Sequence, residues 1–526
     1  MSFMRGSQTK SLLSVTLVVL VLVVVYLVTH VFGLTKLPIF ADEAIYIRWS
    51  QLIISDAQQY FFFPINDGKT PLFIWMLVPF IKTLLDPLWA GRLLSVIGGL
   101  IQVGLVALLL RELGVKRMGM FVGSLIVILA PFWFFHHRMV LMDGWLTVWL
   151  SLATLAVLRL TVEKQLRNKI MWLAVGSLAV WAGLMTKVPF VLAVPALLLL
   201  PFRSASSRAI IRNQLAWVVG MIGVGTVLFL TLALTPVFPQ LLSRGGDFLL
   251  PLSEVLAGRW KETIPSIPTY LGYFLAYAGW GVFALAFAGL VLPGKRRIAL
   301  LLAVSFVLFC APIWVLGRVV FPRYLFPAML YLTLLAGIGA DTLWRWSARP
   351  VHTAARRSAI RLLLGLLVLQ LMLTSARFLV PSWYDSDSVP FVQSDKSQYL
   401  TTWSSGHGLA ETYAYLAELS AEGSGALLVA TEGNFGSLPD GLLLYNFKNP
   451  LERVWIEGMG YPVNWITPEF ADRIQPQDRV VLVVNDDRLL WPLDENTLLR
   501  EFCRPAGGPC LQIWDITESF PQFKKR

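Results

Sequence analysis

The 526-residue chain is short of charge and of cysteine. Only 14% of its residues are Asp, Glu, Lys or Arg, and 56% are hydrophobic; soluble domains carry about 25% charged residues. Mean hydropathy is +0.65. That balance excludes a disordered chain and an ordinary soluble enzyme. Three cysteines are too few for a disulfide scaffold. Cys310 lies in an apolar run and reads as a packing residue. Cys503 and Cys510 are a close pair, able to form one bridge outside the cytoplasm, and they lack the CxxC or paired histidines of a zinc site. There is no GxxxxGK[ST], no GxGxxG after a strand, no HExxH and no GxSxG. ATP-driven transport within this chain is therefore disfavoured. The centres of the long apolar runs lack Asp, Glu, Lys and Arg, which argues against an ion-coupled transporter. The net charge of +12 would point to nucleic acid in a soluble protein. Here the cations flank apolar runs instead, and no nucleic-acid partner is expected.

What is present is a series of runs long enough to cross a bilayer, each needing about 20 mostly apolar residues. They fall at 11–33, 92–110, 118–135, 144–160, 170–186, 188–202, 215–236, 270–292, 298–316, 324–344 and 362–380. This predicts an α-helical polytopic membrane protein with about eleven transmembrane helices. The first run, preceded by Arg5 and Lys10, exceeds a signal-peptide core and reads as an uncleaved anchor with its N-terminus in the cytoplasm. With that orientation every inner segment is basic, including 111–117, 161–169, 203–214, 293–297 and 345–361, as the positive-inside rule requires. The expected location is the plasma (inner) membrane. The apolar stretch 71–89 carries Lys82, Asp86 and three prolines. It is read as an interfacial helix within a long outer loop, 35–91. After residue 380 polar residues return. Apolar runs at 425–430, 441–447, 479–486 and 510–516 read as strands and 408–421 as a helix. The expected division is a membrane domain, 1–380, and a small extracytoplasmic α/β domain, 381–526.

Polar chemistry concentrates on the expected outer face. Asp42 and Glu43 follow the first span, and two carboxylates there can supply a base and a positioning group. A helix N-terminus explains the same residues. Asp143 opens the fourth span behind His136 and His137, which are candidate acids or ligands, or plain interfacial polar groups. The topology puts Asp42 and Asp143 on one side of the membrane, where they are expected to converge. Lys69, Arg92, Lys187, Arg259 and Arg323 map near the same interface and can bind a phosphate or snorkel towards headgroups. The loop segments 432–435 and 485–487 are covered by ordinary turn chemistry and receive no role.

These residues resemble a known family. An Asp-Glu after span one, Lys69-Thr70-Pro71-Leu72 before an interfacial helix, an Asp opening span four and a late Pro322-Arg323-Tyr324-Leu325-Phe326-Pro327 look like the GT-C membrane glycosyltransferases. The nearest branches are the bacterial protein O-mannosyltransferase-like enzymes and the aminoarabinose transferases of lipid A. The family usually shows Lys-Pro-Pro where this chain has Lys69-Thr70-Pro71. The resemblance implies a polyprenyl-phosphate sugar donor, an acceptor hydroxyl on protein, lipid or glycan, and inversion at the anomeric carbon. By that likeness Asp42 is the base, Glu43 an acceptor or positioning group, and Asp143 a second carboxylate that orients the acceptor or holds a cation. Lys69 and Arg323 hold the donor phosphate, backed by Arg92 and Arg259. No metal or other cofactor is expected. The rival reading is a lipid or polysaccharide transporter or flippase that makes no bond.

Overall fold

A computed structural model describes residues 2–203, 207–422 and 424–520. The side chains of Arg5 and Lys10 lie outside the described residues. The chain forms two compact units. One comprises Met1–Phe32, Phe62–Phe73 and Leu93–Val380; the other comprises Gly33–Phe61, Ile74–Arg92 and Pro381–Arg526.

The first unit is a bundle of transmembrane helices. Among the described residues, the helices long and apolar enough to cross a bilayer are Pro87–Glu112, Met142–Leu160, Leu166–Thr186, Arg208–Leu234, Arg296–Leu316, Pro322–Ser347 and Ala354–Tyr384. These are seven against the eleven expected, or eight if one bent pair counts as a span. The run at 11–33 contributes only Thr16–Val31, part of it lying outside the described residues, and local breakers account for the other three. Pro131 holds Ala130 extended (ψ 129°) and splits the run at 118–135 into Arg117–Leu129 and Pro131–His136. Pro189, Pro195 and Pro201 leave Val188–Arg203 as short α and 3-10 turns. The run at 270–292 bends by 104° at Gly279, whose φ of +78° few other residues adopt.

Burial varies steeply across the bundle. An 18-residue apolar stretch of Pro322–Ser347 is wholly buried, whereas the corresponding stretch of Arg208–Leu234 is mostly unburied, as in a lipid-facing helix. Close backbone approach makes the central position possible: a Cβ at Gly339 would lie 1.8 Å from the Leu285 carbonyl. Small residues are the general device for such contacts between membrane helices.

The second unit contains a five-stranded sheet. Its strands are β1 (Leu427–Thr431), β2 (Val454–Gly458), β3 (Arg479–Asn485), β4 (Leu498–Cys503) and β5 (Cys510–Asp515). Their spatial order is β2-β1-β3-β5-β4. The β1–β2 and β1–β3 pairs are parallel, while β3–β5 and β4–β5 are antiparallel. The central strands are apolar and buried on both faces, as parallel strands must be. The runs at 425–430, 479–486 and 510–516 are strands, and 408–421 is the helix Leu409–Glu422. The run at 441–447 is not a strand. It holds a helical turn, Asp440–Leu443, because a short apolar run carries no periodicity that separates the two states. Cys503 and Cys510 are joined in a disulfide, facing each other across β4 and β5.

The helix Ala41–Ser55 belongs to this second unit. Its start is sewn to a turn near residue 405: Ala41 N–H donates to the Ser404 carbonyl (2.9 Å) and Gly406 N–H to the Ile39 carbonyl (2.7 Å). Gln51 donates to the Leu444 carbonyl at 2.9 Å.

Asp440 gives this unit a pH signature. Burial raises its carboxyl from 3.8 to about 6, against the opposing pull of the Gly436 N–H and the Arg48 charge. The native state then holds a proton that the unfolded state has released. The stability this contributes is complete below the unfolded value and is lost as pH rises through about 6. Acidification from about pH 7 to 5 should add about 1 kcal/mol through this group. Asp440→Asn should flatten that part of the melting-temperature profile. An unchanged slope would remove Asp440 as its source.

Candidate functional site

The helix Ala41–Ser55 has no capping side chain of its own at Phe40. Glu43 fills the role, its Oε2 accepting the Phe40 N–H at 3.0 Å. The same carboxylate grips Arg92 in a fork: Nε donates to Oε1 at 2.9 Å and Nη2 to Oε2 at 2.7 Å. Arg92 also donates to the carbonyls of Leu34, Leu37 and Pro38. Both side chains are fully buried. Glu43 and Arg92, expected as a positioning group and a phosphate ligand, hold the 34–43 turn together. Asp42, one residue earlier, is half-buried in the first turn of the same helix.

The first unit assembles a separate polar group. Helices Met142–Leu160 and Leu166–Thr186 are joined by a five-residue turn. This brings the start of one helix beside the end of the other. Asp143 sits in the first turn of the former, and Lys187 caps the C-terminus of the latter. Each charge has the sign its helix dipole favours. They form an ion pair of 2.8 Å, with Asp143 buried and Lys187 about one-quarter exposed. The Lys187 ammonium lies 5.1 Å from the centre of the Tyr324 ring. The Arg323 guanidinium, itself largely buried, lies 5.5 Å from the same ring and 5.4 Å from Phe321. His136 is stacked on Phe326 at 4.3 Å and lies within electrostatic reach of Asp143, Arg323 and Lys187. Two cations, one carboxylate and an aromatic shelf thus share one corner of the bundle. Lys187 is one of five interfacial cations in the sequence, and its local pattern does not single it out. The signal that distinguishes it is its position, one antiparallel helix pair away from Asp143.

Lys69 and Arg259 lie elsewhere in the same unit. Lys69 pairs with Asp67, whose other oxygen takes Arg244 at 2.7 Å; Arg244 also binds Asp247 at 3.0 Å. Nothing in the sequence joins residues 67 and 244, because the loop around 244 has no periodic pattern. Arg259 is mostly exposed, 3.7 Å from Glu254, which pairs more closely with Arg318 at 2.7 Å. These residues line a cavity of about 280 Å³ with Glu262 and Tyr270. Glu501, Cys503 and Cys510 lie within 4.8 Å of one another, but both sulfurs are in the disulfide and offer no thiolate to a metal.

The bundle with its appended sheet has the GT-C glycosyltransferase fold. ArnT from Cupriavidus metallidurans, solved bound to undecaprenyl phosphate, superposes with a TM-score of 0.53 at 17% identity, over 95% of this chain and 97% of that one. The Archaeoglobus fulgidus oligosaccharyltransferase in its apo form superposes with a TM-score of 0.55 at 11% identity, over 89% of this chain and 69% of that one. The archaeal AglB from the same organism, in complex with an inhibitory peptide and a dolichol-phosphate, gives a TM-score of 0.51 at 11% identity over the same shares. In sequence, the family model for dolichyl-phosphate-mannose-protein mannosyltransferase matches residues 68–238. That stretch holds Lys69, Arg92, Asp143 and Lys187, and not Asp42, Arg259 or Arg323. A sequence search of curated proteins finds no match.

Proposed function

We propose that this protein transfers a glycosyl group from a polyprenyl-phosphate-linked sugar to an acceptor hydroxyl at the outer face of the membrane, with inversion. The observation that supports it best is the Asp143–Lys187 pair with Arg323 and Tyr324, set in a fold whose solved examples include proteins bound to polyprenyl and dolichyl phosphates. The acceptor oxygen attacks the anomeric carbon and gives its proton to a carboxylate. The bond from that carbon to the phosphate oxygen breaks, and the electron pair leaves with the polyprenyl phosphate. Asp42 is the proposed base. A carboxylate suits the task because the proton moves as the bond forms. Lys187 and Arg323 are the proposed partners of the leaving phosphate, whose growing charge fixed cations stabilise. Asp143 fixes Lys187 rather than touching the acceptor. Lys69 and Arg259 keep a proposed part in drawing the anionic headgroup towards the site. No metal or cofactor enters the proposed reaction.

Purified protein in lipid nanodiscs, offered a panel of polyprenyl-phosphate sugars, should release free polyprenyl phosphate. Lys187→Met and Arg323→Gln should each cut kcat by about 100–1,000-fold, as the loss of a charge-stabilising donor does. Passage of the lipid-linked sugar across the bilayer with no release would favour the flippase reading and overturn this one.

A further inference from the structure

The second unit carries a polar cluster that transfer chemistry does not use. In open α/β sheets, ligands bind outside the carboxyl ends of the strands, where the strand order reverses. In the order β2-β1-β3, successive connections leave β1 and β3 in opposite directions. That rule points to the carboxyl ends of those two strands. Glu432 follows the last residue of β1, and Asn485 is the last residue of β3. They meet there: the Asn485 backbone N–H donates to Glu432 Oε2 at 2.9 Å and its Nδ2 to Oε1 at 2.7 Å.

Two further features mark these strand ends as a place for a ligand. The first is aromatic. The Arg488 guanidinium, 3.4 Å from Glu432, lies 3.9 Å from the Trp403 ring centre and 4.2 Å from that of Tyr461. Arg488 is thereby held flat, and Tyr461 stays 63% exposed. Phe435, on the loop after β1, is also more than half exposed. The second is unmet hydrogen bonding. Among the described residues, Asn485 Oδ1 and Arg504 Nε are buried and have no hydrogen-bond partner. Arg504 donates to the Ser405 carbonyl at 2.8 Å, two residues from Trp403, and lies within electrostatic reach of Glu432, Asp486, Asp487 and Arg488. A buried acceptor and a buried donor left unpaired each carry a desolvation cost that a ligand hydroxyl removes. The loops are also tightly set: Gly433 and Gly460 form a bridge, and a Cβ at Gly458 would lie 2.1 Å from the Gly433 carbonyl.

The charges select the ligand class. Glu432, Asp486 and Asp487 outnumber Arg488 and Arg504, so an anion is repelled. Planar polar side chains beside exposed aromatic faces suit a ring that has hydroxyls on its rim and C–H bonds on its faces. We propose that the carboxyl ends of β1 and β3 form a binding site for a neutral saccharide unit. The site is independent of the transfer reaction, and its test needs no donor.

The test uses the full chain in nanodiscs free of glycoside detergent. Maltotriose, mannotriose and chitotriose are titrated by calorimetry and by saturation-transfer NMR, with inorganic phosphate as the anionic probe. At least one trisaccharide should bind saturably, and Tyr461→Ala and Phe435→Ala should each weaken it at least about fivefold. Both replaced side chains are more than half exposed, so the variants should fold. Asp143→Asn should leave this binding unchanged. The proposal fails if no trisaccharide binds, if binding ignores both aromatic variants, or if phosphate binds in their place. Sugar binding without donor turnover would separate this site from the reaction proposed above.

Discussion

Asp42→Asn should lower turnover at saturating donor by at least about 100-fold, the ordinary worth of a general base. Asp42 is half-buried, whereas the side chain of Glu43 beside it is fully buried. Its helix is anchored by neighbours: Glu43 caps the start and Ala41 bonds to the turn near 405. Asn keeps the size and most of the hydrogen bonding of Asp but cannot take a proton. Loss of a first-turn acid costs at most about 1 kcal/mol at an exposed helix end, so the variant should melt close to the parent. The expected pattern is a kcat loss with donor affinity and melting temperature held. Retained turnover would remove Asp42 from the base role. A fall in kcat matched by a collapse in melting temperature would make its part structural.

Arg92→Leu should act in the opposite way. It leaves Glu43 buried with its fork partner gone, and three carbonyls lose their donor. Breaking a buried pair from one side costs about 3–5 kcal/mol, a large fraction of the stability of most domains. Thermal unfolding in nanodiscs should show a large drop, and the yield of folded protein should fall with it. Replacing both partners by apolar residues should recover part of the loss, since the uncompensated charge is then gone. If Arg92 instead held the donor phosphate, Arg92→Leu would raise the donor KM and leave the melting temperature in place.

The sequence revealed the class of fold because lipid imposes a one-dimensional rule. Runs such as 144–160 and 170–186 correspond to long helices since no proline interrupts them. Runs containing Pro131, Pro189 or Gly279 passed the same hydropathy test and yet break, because hydropathy averages over the one residue that sets the backbone. The site was legible in residue type but not in pairing. Asp143 and Arg323 stood out as charges at span ends, and they lie in one corner with Lys187. Glu43 and Arg92 looked equally exposed to function, but whether a charge faces substrate or another buried charge depends on contacts 49 residues apart. No local pattern encodes those. The strands β2 and β4 were missed since each is short and partly exposed, leaving neither an alternating nor a continuous apolar signal.

The stitching of residues 39–41 to residues 404–406 has a consequence for biogenesis. Ribosomes add about 5–20 residues per second, so the segment bearing Asp42 emerges roughly 20–70 s before its hydrogen-bonding partners exist. During that interval the Ala41–Ser55 helix must wait without its permanent neighbours while the intervening spans enter the bilayer. A chain that stalls or is cut before residue 404 would therefore retain the acid but not the scaffold that orients it. Quality control need only sense the missing turn to discard it.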